Sequence, residues 1–94
     1  MTIPEAIEEI ITELKRYNVP QDFWKKVDGK FIKTHESSQA WTYLRYCLAK
    51  HYDKSIYEIL THCKGISMLS TKKQFENSIQ YVRKHKEFRE RFEI

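Results

Sequence analysis

Lys73, Asn77, Gln80 and Lys84 recur at spacings of four, three and four, which on a helix sets two amides between two ammonium groups along one face. Amides match the donors and acceptors on base edges in a duplex major groove, and ammonium groups match phosphates. Just upstream, Ser70, Thr71 and Gln74 supply a helix start whose hydroxyls and free backbone N–H groups suit a phosphate oxygen. A second set of reactive types is Cys47 with His51, four apart, and His62 beside Cys63. These four form a mixed Cys/His metal site only if their helices meet, and their spacing matches no ordinary zinc pattern. Two core thiols and two partly exposed histidines account for the same residues. Nucleophilic catalysis by a Cys–His pair needs an orienting group and a pocket as well. His35 and His85 have no companions that suggest chemistry, so neither an enzyme nor a metal centre is expected.

The charge is distributed to match. The chain has 94 residues, with 17 Lys and Arg against 13 Asp and Glu, and only two Gly and two Pro. So few turn residues argue against disorder and turn-dense all-β folds and point to helices. One core is the expectation for this length, burying roughly 60–65% of the unfolded surface. Residues 1–17 hold Glu5, Glu8, Glu9 and Glu13 against Lys15 and Arg16, a net of −2, which leaves +6 for the rest. Residues 64–86 concentrate Lys64, Lys72, Lys73, Arg83, Lys84 and Lys86 against Glu76, a net of +5. A basic stripe of this kind suits a polyanion, most often nucleic acid, although a solvated helix face has the same composition. There is no basic leader and no apolar run of the ~18–20 residues that a membrane span requires, so a cytoplasmic protein with reduced cysteines is expected.

The elements follow from caps and periodicity. Thr2, Pro4 and Glu5 mark a helix start, and Ile3, Ala6, Ile7, Ile10, Ile11, Leu14 and Tyr17 give it one apolar face. It stops before Asn18-Val19-Pro20. An apolar face beside an acidic one can also pair with its copy, which makes a homodimer a further expectation. Asp22 is read as the cap of a short helix carrying Phe23, Trp24 and Val27, followed by the turn dipeptide Asp28-Gly29 and an extended Lys30-Phe31-Ile32-Lys33. Thr34 precedes a central helix with Trp41, Leu44, Leu48 and Tyr52 on one stripe and Ala40, Tyr43 and Cys47 beside it. Ser55 with Glu58 opens the next helix, with Ile56, Ile59, Leu60 and Cys63 inward, and Gly65 suits its left-handed end. Thr71 with Gln74 opens another, with Phe75, Ser78, Ile79 and Val82 inward, and Phe88 and Phe92 form a docking turn at the tail. Aromatics at such positions are core residues rather than platforms for single strands, with Tyr46, Tyr57 and Tyr81 the less buried ones.

A short capped helix, a Gly-containing turn and a helix with a basic outer face, over residues 55–84, have the order of a helix-turn-helix. From Trp41 to Phe92 the chain resembles the C-terminal DNA-binding domain of the bacterial chromosomal replication initiator and of related phage and mobile-element proteins. The likeness is carried by Tyr46 to Ile59, where Ser55-Ile56-Tyr57-Glu58-Ile59 is similar to the Ser-Leu-x-Glu-Ile that opens the family's first helix-turn-helix helix. Gly65, Ser70-Thr71 and Phe88-Arg89 continue it. The family's signature, Gly-Gly-Arg-Asp-His-Ser/Thr-Thr, corresponds to Lys64 through Thr71, in which the Arg, Asp and His have no counterpart. The resemblance implies an all-α fold, Trp-repressor-like in its helix-turn-helix, with double-stranded DNA as partner and a link to replication or its control. A nucleotide-binding Gly-x-x-x-x-Gly-Lys-Ser/Thr occurs nowhere in the chain.

The expectation is therefore one all-α domain, residues 1–94, of five to six short helices, with a helical N-terminal region (about 1–33) packed on a helix-turn-helix unit (about 34–94). It would bind duplex DNA, in the cytoplasm and associated with the nucleoid, without a cofactor. Lys64, Ser70 and Thr71 would meet phosphates, Lys73, Gln74, Asn77 and Gln80 would face bases, and Arg83 and Lys84 would hold the flanking backbone, with Lys72 also among the DNA-binding residues. The rival is a regulatory protein-protein interaction module that keeps the fold and uses its acidic first helix to engage a basic partner such as a replication protein.

Overall fold

Three of the helix starts are held by threonine hydroxyls that lie one residue ahead of them. The computed structural model describes residues 2–51 and 56–94, the side chain of His51 excepted. Thr2 Oγ1 accepts from the Glu5 backbone N–H and donates to the Glu5 carboxylate at the start of α1, Ile3–Leu14. Thr34 does the same service for α2, His35–His51: its Oγ1 accepts from Ser37 N–H at 3.0 Å while Ser37 Oγ accepts from Thr34 N–H at 2.8 Å. Thr71 caps α4, Lys72–Lys84. The short α3, Ile56–His62, and α5, Lys86–Arg91, complete the α-helices of the described residues. The cap read at Ser55 and the apolar position at Tyr52 lie outside the described residues.

After Leu14 the chain tightens into a 3-10 turn, Lys15–Tyr17, and Asn18 takes a left-handed φ of 58° that releases it from the helix. The Val19 N–H then closes on Leu14 O at 3.2 Å and its side chain is buried, which terminates α1 against the core rather than in solvent. Residues Gln21–Trp24 form one 3-10 turn whose N-cap is Pro20 with no side-chain cap, so Asp22 does not cap it. Val27 is not on that turn either. It lies in β1, Lys26–Val27, which pairs antiparallel with β2, Lys30–Phe31, and it is 56% exposed. The physical reason is Asp28-Gly29: both residues have positive φ, 52° and 76°, the pair of left-handed conformations that closes a two-residue hairpin and fits the twist of its strands. The pairing of Lys26 with Phe31 and of Val27 with Lys30 then takes Val27 into the ladder and out of the helix.

The core is built on α2, which packs against α1, α3 and α4 and against the Gln21–Trp24 turn. Its buried stripe is Ala40, Trp41, Tyr43, Leu44, Cys47 and Leu48. Ile3, Ala6, Ile7, Ile10 and Leu14 of α1 are buried in the same cluster, so the apolar face of α1 is covered within the chain and is not free to pair with a copy. At one end, Trp41 sits in an aromatic group with Phe23 at 5.3 Å, Trp24 at 5.4 Å and Phe31 at 5.1 Å between ring centroids. At the other, Phe92 of the tail meets Tyr17 at 5.3 Å and Tyr43 at 4.9 Å, so the end of the chain closes on the end of α1. Pairs at these separations contribute about 0.5–1.5 kcal/mol each beyond their buried area. Trp41 Nε1 is buried without a hydrogen-bond partner among the described residues.

The polar tie across this core is Arg45. Its Nε donates to Met68 O at 2.8 Å and its Nη1 to Ser78 Oγ at 3.3 Å, which joins α2 to the 3-10 turn Ser67–Leu69 and to the inner face of α4. Burial lowers the guanidinium's pKa from the ordinary arginine value. Hydrogen bonds to a charged group contribute roughly 1.5–3 kcal/mol, and removing the donor also leaves the Met68 carbonyl unpaired. Arg45→Ala is therefore expected to destabilise the fold by about 2–3 kcal/mol, seen as a lower urea midpoint with an unchanged m-value. Arg45→Lys, which keeps the charge and loses the fork, should recover only part of it.

Candidate nucleic-acid interface

The start of α4 decides which of its polar side chains remain available. Gln74 Oε1 accepts from both Ser70 N–H and Thr71 N–H at 3.0 Å, and Gln74 Nε2 donates to Ser67 O at 2.8 Å. The Gln74 N–H in turn donates to Thr71 Oγ1 at 3.2 Å. Sequence spacing marked this capping box correctly, but it also offered Gln74 to a base edge. A bidentate contact to adenine needs the amide oxygen and nitrogen together, and here the oxygen is filled and the nitrogen holds Ser67. Gln74 thus serves the helix start. Ser70 is engaged in the same way, with its hydroxyl donating to Ser67 O at 3.1 Å, so the phosphate-binding hydrogens expected of it are taken. Thr71 is exposed and keeps its hydroxyl hydrogen beside the backbone N–H groups of Lys72 and Lys73.

The cations divide into two groups. Lys72 pairs with Glu76 at 3.5 Å and lies 5.3 Å from the centre of the Tyr57 ring, linking α3 to α4. Tyr57 first and Glu76 next raise its pKa above the ordinary lysine value. Lys86 pairs with Glu90 at 3.7 Å. Arg89 donates to Val82 O at 2.7 Å and Arg83 O at 2.6 Å, which satisfies the last carbonyls of α4 with a positive charge at the negative end of its dipole. By contrast, Lys64, Lys73, Arg83 and Lys84 are exposed, and no side-chain partner holds them among the described residues. Asn77 and Gln80 are exposed and unpartnered in the same sense. Phe75, Ser78 and Val82 are buried on the opposite face, so α4 turns its basic amide face outward.

The relation of α3 to α4 is looser than the simplest helix-turn-helix. The connection between them runs from Cys63 to Thr71, with Gly65 at a left-handed φ of 89° and Leu69 fully buried as its anchor, where the simple motif has a turn of about 3–4 residues. Arg45 and Gln74 hold this longer connection from its two sides, through Met68 O and Ser67 O.

Cys47 and Cys63 are free and buried. Among the described residues no group of three or more His, Cys, Asp or Glu side chains could hold a metal ion. Burial pushes the Cys47 thiol up to about 11 from 9.0, the direction opposite to that of an activated nucleophile. Tyr43 is also raised above its ordinary value by burial, and its hydroxyl donates to Glu13 at 3.2 Å, tying α2 to α1. Tyr57 and Tyr81 are exposed, while Phe75, Phe88 and Phe92 are buried core residues. Tyr81 stacks on the His85 ring at 3.9 Å. No helix of the described residues is long and apolar enough to cross a membrane.

Two outcomes follow from these contacts. Gln74→Ala should lower stability by about 1 kcal/mol through loss of the cap, measured by thermal or chemical denaturation. As pH rises from about 9 to about 11 the unfolded chain releases the Cys47 proton while the folded chain keeps it, so stability falls across that window. The fall due to Cys47 is on the order of 2 kcal/mol, and Cys47→Ala should lessen the slope of the pH profile measured by denaturant unfolding, with Cys63 and Tyr43, also raised by burial, supplying the remainder. Comparison of the chain with protein-family models, with curated proteins and with solved structures finds no match.

Proposed function

We propose that the chain binds double-stranded DNA through the outer face of α4. The observation that carries this reading is the set Lys73, Asn77, Gln80 and Lys84: exposed, in line, and without intramolecular partners among the described residues, while neighbouring cations are paired. From Lys73 to Lys84 the helix rises about 16 Å, the length of roughly five base pairs. Asn77 and Gln80 at its centre offer the bidentate amide groups that read base edges, and Lys73 and Lys84 at its two ends reach the bordering phosphates. Lys64 and Arg83 extend the positive surface beyond the helix face, and Thr71 with the first N–H groups of α4 adds a neutral phosphate contact. Gln74 and Ser70 act behind this face by holding the start of α4 in place, and Lys72 is exposed beside it, paired with Glu76.

The resemblance of Trp41 to Phe92 to the replication initiator's DNA-binding domain extends this reading to replication initiation or its control, with the protein on the nucleoid. The missing Arg, Asp and His of that family's signature imply a different preferred sequence. One observation supports the rival reading as a protein-interaction module: Glu5, Glu8 and Glu9 line the exposed side of α1, and the carboxylates of Glu8 and Glu9 have no partner among the described residues. That surface suits a basic protein partner.

Fluorescence anisotropy with a short labelled duplex across a salt series tests the proposal. Micromolar or tighter binding is expected at low salt, with log Kd rising against log salt at a slope of at least about 3. Lys73→Glu combined with Lys84→Glu should weaken binding by about two orders of magnitude and flatten the slope. Absence of micromolar binding at low salt, or an unchanged affinity in the double variant, overturns the reading.

A further inference from the structure

The hairpin is as basic as α4. Residues 25–33 carry Lys25, Lys26, Lys30 and Lys33 against Asp28, a net of +3 in nine residues. All four lysines are exposed. Lys26 lies 5.2 Å from the centre of the Phe31 ring, and none of the four has a carboxylate partner among the described residues. The strand pair gives the core one ring, Phe31, while Val27 beside the turn is 56% exposed.

Its position connects it with α4. A groove of about 300 Å³ separates the hairpin from the turn that leads into α4, and it is lined by Gly29, Lys30, Phe31, Lys33, Ser67 and Met68. Both walls are fastened to the same face of α2, one turn apart. Phe31 packs on Trp41 at 5.1 Å, and Met68 O is held by Arg45 Nε at 2.8 Å. Ser67 O, on the second wall, is bonded to Gln74 of the α4 cap. The hairpin is therefore set at a fixed distance from the start of α4 by packed rings and charged hydrogen bonds rather than by a loop. The lining of the groove combines apolar Phe31 and Met68 with the exposed lysines Lys30 and Lys33. That combination is complementary to a sugar-phosphate strand, whose deoxyribose is apolar and whose phosphates are anionic.

We infer that the Lys26–Phe31 hairpin with Lys33 is a second DNA-contacting element, a basic arm that grips the phosphate backbone next to the segment bound by α4. The inference rests on the reading of α4 as the duplex-binding helix and adds to it a backbone contact that carries no sequence information. It makes the DNA surface composite: α4 supplies amides and flanking cations, and the hairpin supplies cations alone. The Asp28-Gly29 turn keeps the arm short and stiff, so its lysines are presented with little loss of backbone freedom on binding.

The test is the salt-dependent anisotropy titration of the full chain on one labelled duplex, with three proteins compared: wild type, Lys30→Ala with Lys33→Ala, and Lys73→Ala with Lys84→Ala. Circular dichroism and thermal melting of each check that the exposed substitutions leave the fold intact. The hairpin variant is expected to bind about tenfold or more weakly near 0.1 M salt and to lose about 1–2 from the slope of log Kd against log salt. Lys30→Arg with Lys33→Arg should keep the wild-type slope. Wild-type binding that responds to the α4 variant but is unchanged in affinity and slope by the hairpin variant overturns this inference and leaves the α4 reading standing. A wild type that does not bind the duplex overturns the α4 reading and this inference with it.

Discussion

The half-buried guanidinium of Arg45 is the constraint on which the arrangement of this protein depends. A charge in that position must be matched by acceptors, because an unmatched one costs several kcal/mol. The acceptors it finds are a backbone carbonyl in the connection, Met68 O, and a hydroxyl on α4, Ser78 Oγ. A purely apolar contact at the same place would tolerate sliding of α4 along α2. The fork of Arg45 does not, since its two bonds have directions as well as lengths. Leu69 is then drawn into the core, Ser67 is left within reach of Gln74, and the capping box of α4 forms where the connection delivers it.

The same economy governs the other cations. Isolated surface ion pairs such as Lys72–Glu76 and Lys86–Glu90 contribute little stability, and they lower the positive potential around Lys72 and Lys86 relative to the unpaired lysines. Arg89 is drawn to the carbonyls at the end of α4, where it completes the helix and keeps Phe88 and Phe92 facing inward. The cations left without carboxylate partners among the described residues include those on the outer face of α4, on residues 25–33 and at Lys64, and the Glu8 and Glu9 carboxylates of α1 are exposed and unpaired as well. The net charge of the chain, +4, is thus the remainder of an acidic first helix and a basic later part, and the field a polyanion meets depends on which of these surfaces it approaches.

Much of the helical architecture could be read directly from residue order. Thr2, Thr34 and Thr71 stand where caps are needed, the apolar residues of α1, α2 and α4 recur with the helical period, and Asn18-Val19-Pro20 and Gly65 interrupt it. These are local signals, each exerted within about one helical turn of the residues it affects. The hairpin was harder to read because its strands are two residues each, too short for alternation to register, and Phe23, Trp24 and Val27 imitate a helical stripe. Asp28-Gly29 was the available signal, since that dipeptide is the strongest short-range mark of a two-residue hairpin. Arg45 left no trace of its role: in sequence it is one more polar residue on a helix, and its partners lie 23 and 33 positions away.

The candidate site divides along the same line. Residue types and spacing alone determined that α4 has an apolar inner face and a basic amide outer face, because a helix converts spacing into direction without reference to the rest of the chain. They also determined that most of the positive charge lies after residue 17. Only the tertiary structure decided which polar groups are left for a partner, since Gln74, Ser70 and Lys72 are withdrawn by bonds to Ser67, Thr71, Tyr57 and Glu76 that compete for the same donors and acceptors. It alone brought the lysines of residues 25–33 beside the start of α4, because that proximity comes from Trp41 and Arg45 holding two distant segments on one face of α2, a long-range packing relation that no local pattern of residues encodes.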